Sequence, residues 1–321
     1  MSPRRIASVL AAAVPVLGTA LVAVGAGQAP AAAQSVPAHS GVTETTTTVE
    51  YGPFTIPAAP HDGEGGHHGG SELSSIKWNV EKPCEDCYIT GFAPTLLYQD
   101  GTQANVNTGA MLHHFVMFNS TERDVVCNGS QRVLASGNER VASHFPDGYG
   151  LHVADGERWN LNYDLMNHSH EDRTVTISVT FTHVPASADL EPLTPLWLDV
   201  GGCYSSAYDV PEGTSEESDL WRSTVTGDLV HMRGHLHHAG HSLWTVNLSD
   251  RGRTLCHITA EEGGTPEFID LNGHGEISDM PPCSGDLGRI ERGDLLRTTA
   301  RYVVPGHTHE GVMGIMVGWI A

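Results

Sequence analysis

The residues best equipped for chemistry lie in the stretch His231-Met232-Arg233-Gly234-His235-Leu236-His237-His238, with Met313 far downstream. On a β-strand, residues two apart leave the same face. His235 and His237 can therefore offer two rigid nitrogen donors to one small metal ion. A thioether from Met313 on a second strand would complete a mixed nitrogen and sulfur site. Thioether is a soft donor suited to Cu(I) and imidazole suits both copper oxidation states, so the set favours copper. The competing reading is a His-rich surface turn in a chain with 20 histidines among 321 residues.

A second constellation is Leu112-His113-His114-Phe115-Val116-Met117-Phe118. Neighbours on a regular strand point to opposite faces, so these two imidazoles share a metal only where a bulge or sharp twist turns one of them. Without such a distortion, one ring is buried and hydrogen-bonded and the other meets solvent.

The elements that must carry these residues read as strands. Leu73 to Val80, Tyr88 to Pro94, Leu112 to Phe118, Trp159 to Met166 and Val175 to Val184 are rich in β-branched, aromatic or alternating residues, as are Leu229 to His237, Leu243 to Leu248, Leu296 to Val304 and Val312 to Ile320. Gly, Pro, Asn and Asp clusters punctuate them, and no stretch sustains a helical period. The expected fold is all-β, with two tandem antiparallel β-sandwiches at residues 73–188 and 189–321, joined near Pro185 to Pro195. In the final strand Met313, Ile315, Val317 and Trp319 share a face. Met117 and Met316 read as core side chains.

Residues 1–33 read as a secretory signal peptide: Arg4 and Arg5, an uncharged apolar run from Ile6 to Val24, then Ala31-Ala32-Ala33 before Gln34. Residues 34–72, with four consecutive threonines, several prolines and a Gly/His-rich run, read as a disordered linker. The formal charge of −21 becomes −23 once Arg4 and Arg5 are removed with the signal. Such a surface argues against nucleic acid and anionic membranes as partners. No segment beyond the signal is apolar enough to span a membrane, so a secreted, extracellular protein is expected. Six cysteines (Cys84, Cys87, Cys127, Cys203, Cys256 and Cys283) then read as disulfides whose pairing the sequence leaves open.

Several phrases together resemble the copper type II, ascorbate-dependent monooxygenases, the group of the peptidylglycine and dopamine β-hydroxylating enzymes, and still more the stress up-regulated nodulin family. They are Leu112-His113-His114-Phe115, Gly148-Tyr149-Gly150, Asp164-Leu165-Met166-Asn167, Gly234-His235-Leu236-His237 and Val312-Met313-Gly314-Ile315-Met316. The resemblance implies two jelly-roll-like domains with one copper each. It gives His235, His237 and Met313 to the catalytic, oxygen-binding copper. The electron-donating copper takes His113, His114 and a third ligand. Where the enzymes carry that third histidine this chain has Asp164, with Met166 and His168 following on the same face. A carboxylate is a harder donor that favours Cu(II), so electron delivery would suffer more than copper binding.

Other motifs fail on inspection. Pro83-Cys84-Glu85-Asp86-Cys87 matches half of a zinc deaminase signature but lacks an upstream His-x-Glu. Asp270 to Pro281 begins like a calcium loop and ends on proline rather than glutamate. No nucleophile elbow, His-Glu-x-x-His or phosphate loop occurs. The expectation is thus a monooxygenase using one or two copper ions and an ascorbate-like external reductant on a small-molecule or peptide substrate. The alternatives are a non-catalytic protein that buffers or delivers copper, and an extracellular binding module with structural histidines.

Overall fold

A computed structural model describes residues 43–60 and 70–321; the expected signal peptide lies outside the described residues. The protein is all-β, built from several small sheets, with only three short 3₁₀ turns and no α-helix among the described residues.

Two sheets come from the N-terminal half. In the first, Thr45–Ile56, Arg173–Pro185, Cys87–Tyr98, Tyr149–Val153 and Glu191–Pro192 lie side by side, with Ser143–His144 paired to Cys87–Tyr98. The second runs Ser71–Val80, Trp159–Asn167, Ala110–Arg123, Ser130–Gly137. Period-2 alternation, offset by a register shift after Ile89 and another after Leu112, sends Ile89, Phe92 and Leu96 of one, and Leu112, Phe115, Met117, Leu161 and Leu165 of the other, into a common core.

Two more sheets come from the C-terminal half: Thr194–Asp199, Gly314–Ile320, Gly227–Leu236, Cys283–Ile290, and Gly213–Arg222, Leu295–Val304, Gly240–Asn247, Arg253–Thr259. Between them a second core holds Leu196, Leu198, Leu229, Met232, Leu236, Met316 and Ile320. The opposite face of the third sheet contributes Trp197, Val230, Ile315, Val317 and Trp319 to the first core. That sheet is therefore buried on both sides, which explains its near-continuous apolar sequence. Its outward face is what brings His235 and His237 to the N-terminal half.

The expected linker is corrected in part. Thr45–Ile56 is a strand paired antiparallel with Arg173–Pro185, with a register shift between Tyr51 and Phe54. Its threonines are β-branched, and Val49, Tyr51, Phe54 and Ile56 alternate into the core. Composition alone hid that alternation behind a low-complexity look. Strands were also not anticipated at Ser130–Gly137, Thr194–Asp199, Gly213–Arg222, Arg253–Thr259 and Cys283–Ile290.

All six cysteines pair, as Cys84–Cys87, Cys127–Cys203 and Cys256–Cys283. The second bridge ties the two halves together. The first bridge closes the Cys84/Cys87 motif as a disulfide rather than half of a zinc site. Asp270 accepts the backbone N–H groups of Asn272 and His274, a self-closed turn in place of a calcium loop. No helix among the described residues is long and apolar enough to cross a membrane.

Candidate metal centre

The pairing of Ala110–Arg123 with Trp159–Asn167 slips at the histidine pair. Leu112 faces Leu165 and His114 faces Asp164, so His113 is the extra residue inserted between two consecutive pairs. This is a β-bulge, and it cancels the alternation that would otherwise separate the two rings. The imidazoles stack with centroids 4.9 Å apart. Ligand atoms of His113, His114 and Asp164 all lie within 4.8 Å of one another, and His113 Nδ1 is 3.5 Å from Asp164 Oδ2.

His235 and His237 arrive from the other half by regular geometry. Gly227–Leu236 pairs with Gly314–Ile320 as His231 with Trp319, Arg233 with Val317 and His235 with Ile315, all on the outward face. His237 follows at the strand end, its ring 5.2 Å from that of His235 and 4.4 Å from that of His113. His114 sits 6.1 Å from His235 and 6.3 Å from His237, centroid to centroid. The four imidazoles and Asp164 thus form one cluster, whereas the resemblance implied a separate centre in each half.

Met313 falls in the break between His309–Val312 and Gly314–Ile320. Continuing the register of Leu236 with Gly314 by one residue sets Met313 opposite His237. Its side chain lines a cleft together with His114 and Ile315. Met166 and His168, the substitutes for Asp164, face another cavity on the far side of His113.

Three supporting residues escaped the sequence reading. Glu139 is buried; it accepts the Gly137 N–H at 3.0 Å and lies 3.2 Å from His235 Nδ1 and 3.8 Å from the Arg233 guanidinium. Burial alone would raise its carboxyl pKa, but the charge and hydrogen bond of His235, with Arg233 behind, bring it down to about 2. A carboxylate on Nδ1 turns Nε2 of His235 toward the cluster, the arrangement that orients metal-bound histidines. Gly137 has no room for a side chain: a Cβ there would meet the His235 ring at 2.3 Å. Tyr302, buried, accepts the His237 N–H at 3.0 Å and donates to the Met313 carbonyl, so one hydroxyl pins both backbones. Only Arg233 hinted at this shell, because a guanidinium facing the core on the His235 side requires an acid.

The donor set fits a metal. Buried His114 Nδ1 and His235 Nε2 have no hydrogen-bond partner, and such groups are costly unless something binds them. Burial and the neighbouring His113 push the His114 pKa down to about 3, so its imidazole is neutral and able to donate a lone pair. Imidazole nitrogens with one carboxylate and one nearby thioether suit copper better than magnesium or calcium.

The cleft beside His114 and Met313 has a volume of about 530 Å³. Trp78, Val116, Phe118 and Trp197 give it apolar walls, with Asn160 and Asn162 as polar points. Trp78 and Tyr204 stand exposed among its lining residues.

Comparison with known proteins bears on this geometry. No family model matches the chain. It is 28% identical over 293 residues to the probable copper-dependent oxygenase M1 of Phoma sp., covering 85% of this chain and 71% of that protein. With the probable copper-dependent oxygenase clz3 of Cochliobolus lunatus it shares 27% identity over 248 residues, 70% of this chain and 76% of that one. The chain is thus related to proteins named as copper oxygenases. Among solved structures, PNGF-II superposes with a TM-score of 0.37 at 11% identity, over 86% of this chain and 65% of its own. The capsid protein P2 of bacteriophage PM2 gives 0.31 at 8%, over 87% and 98%. Neither score supports an argument about fold or function.

Proposed function

We propose that this protein is a secreted copper-dependent monooxygenase that hydroxylates a C–H bond of a small organic or peptidic substrate, using dioxygen and an ascorbate-like external reductant. The observation that carries the reading is the meeting of His113, His114, Asp164, His235 and His237 in one cluster, from which His114, together with Met313, lines a cleft of about 530 Å³. A carrier needs donors and no such cleft; an oxygenase needs both. The relatives' names and the sequence resemblance point the same way, and the three disulfides accord with an extracellular site.

Copper, when bound, would supply the redox and oxygen-activating chemistry. The protein's own contribution is placement. Glu139 fixes the His235 ring, the bulge turns His113 and His114 together, and Tyr302 holds the His237 and Met313 backbones. His235, His237 and Met313 are the proposed catalytic ligands, with His113, His114 and Asp164 beside them. Trp78, Phe118 and Trp197 would hold an apolar substrate body while Asn160 or Asn162 meets a polar group on it. The two halves, each with its own pair of sheets and core, fit a tandem pair of jelly-roll-like sandwiches of the ascorbate-dependent or nodulin type.

The test is metal analysis of protein purified without chelators, followed by ascorbate-driven oxygen uptake. Copper should co-purify, oxygen should be consumed, and His235→Ala with His237→Ala should abolish uptake in a folded protein. Copper without any uptake, across apolar and peptidic substrates, would turn the assignment to storage or delivery. Absence of copper binding would reject it.

A further inference from the structure

Behind the histidine cluster lies a cavity of about 30 Å³ that the proposed reaction does not use. His113, His235 and His237 form its wall on the cluster side. Met111, Met166, His168, His238 and Glu276 line the rest together with Asn138, Leu236 and Ile277. Met111 and Met166 are paired across adjacent strands, share a face and are both buried. His168, at 6% exposure, has neither ring nitrogen hydrogen-bonded. Glu276, at 2%, leaves Oε1 without a partner. Two neutral thioethers, an unsatisfied imidazole and an unsatisfied carboxylate therefore converge on a space large enough for one ion or one water molecule.

We propose that this cavity is a second, soft-metal site that holds one cuprous ion on the Met111 and Met166 sulfurs and a His168 nitrogen, with Glu276 balancing its charge. Thioethers are poor donors for zinc, calcium or magnesium and good ones for Cu(I). Surface histidines supply a route in. The His238 ring stacks on His309 at 5.4 Å, and His307 lies 5.2 Å beyond. An ion can pass along these imidazoles to the cavity, one ring away from His113 and His237. This inference stands apart from the oxygenase reading, since it concerns different donors. The bland occupant is a water molecule bridging His168 and Glu276.

Anaerobic Cu(I) titration of the full chain against a chromophoric chelator separates the two. Met111→Leu with Met166→Leu keeps core volume, a change cores tolerate well. This double variant should bind one equivalent of Cu(I) fewer than the wild type. His114→Ala with His235→Ala should retain that equivalent, and copper X-ray absorption of it carrying Met313→Leu as well should still show sulfur neighbours. An unchanged count in the methionine variant, or loss of all Cu(I) in the histidine variant, would overturn the proposal. Failure of the oxygenase reading looks different: the histidine variant would then match the wild type.

Discussion

The two sides of the histidine cluster reach the same point by opposite means. On the N-terminal side a strand breaks its register, and the extra residue His113 lets two adjacent imidazoles converge. On the C-terminal side the strand keeps its register from His231 onward, and His235 and His237 converge because they are two apart. Their support differs accordingly. His235 leans on a buried carboxylate and His237 on a tyrosine hydroxyl, while His113 has Asp164 beside it as a further donor. A bulge makes ligands out of neighbours but fixes their backbone locally. Regular alternation needs partners outside the strand to fix the rings, so the C-terminal side should be the more sensitive to remote substitutions.

Glu139→Ala is the largest test of that difference. It leaves the buried Arg233 guanidinium without its acid and frees the His235 ring. Breaking a buried charged pair from one side costs about 3–5 kcal/mol. Urea unfolding should show a loss of that size, with copper affinity falling at least about tenfold. Glu139→Gln should recover part of the stability and less of the affinity. A Glu139→Ala protein with wild-type copper affinity would mean that His235 needs no external orientation, and the contrast between the two sides would collapse.

Gly137→Ala probes the seam, because Gly137 pairs with His114 and lies under the His235 ring. The added methyl cannot be accommodated without moving that ring. Overpacking of this kind costs about 1–3 kcal/mol. The expected signature is weakened copper binding with a changed copper(II) electron paramagnetic resonance spectrum. A spectrum identical to the wild type would show that the ring has slack the geometry denies.

These residues also mark what sequence can convey. The spacing of His235 and His237, the apolar alternation of Val312 to Ile320 and the resemblance around His113, His114 and Asp164 are local, and they survive into the structure as strands, faces and a bulge. The meeting of the two histidine sets is not local. It depends on Trp197, Val230, Ile315, Val317 and Trp319 packing into the N-terminal core, a docking that no spacing within one strand records. Glu139 is a single acid after a short strand, and Tyr302 acts through backbone groups, so neither leaves a motif. Thr45–Ile56 was misjudged for a related reason: its strand character becomes visible only beside Arg173–Pro185, whose partner it is.

Tyr302→Phe is a subtler probe of the C-terminal side. Removing one hydroxyl leaves the His237 N–H and the Met313 carbonyl without the partner they share. Leaving a buried polar group unsatisfied costs about 1–3 kcal/mol, and the lower half of that range is expected because the strand end can relax. Thermal unfolding measures the loss. Copper stoichiometry should hold, while oxygen uptake at saturating reductant falls more than the substrate KM changes, since the ring positions shift and the cleft does not. An unchanged turnover with reduced stability would demote Tyr302 to a purely structural role.

The smallest effect is expected at His231, which completes the comparison along a single strand. It shares the outward face with Arg233, His235 and His237, yet its ring packs between Phe145 and Trp319. Burial, with the Arg233 charge added, pushes its pKa down to about 3, so it stays neutral. Nδ1 lies 3.2 Å from the exposed Ser284 hydroxyl, and the buried Nε2 has no hydrogen-bond partner. Leucine would remove that unsatisfied nitrogen and leave Ser284 to water, so the polar gain offsets the lost ring contacts. His231→Leu should therefore change stability by no more than about 1 kcal/mol in either direction. Copper stoichiometry and oxygen uptake should match the wild type. Loss of a copper equivalent in this variant would show that a shared face is enough to recruit a histidine. It would also show that the partners supplied from the other half of the molecule do not select which imidazoles bind the metal.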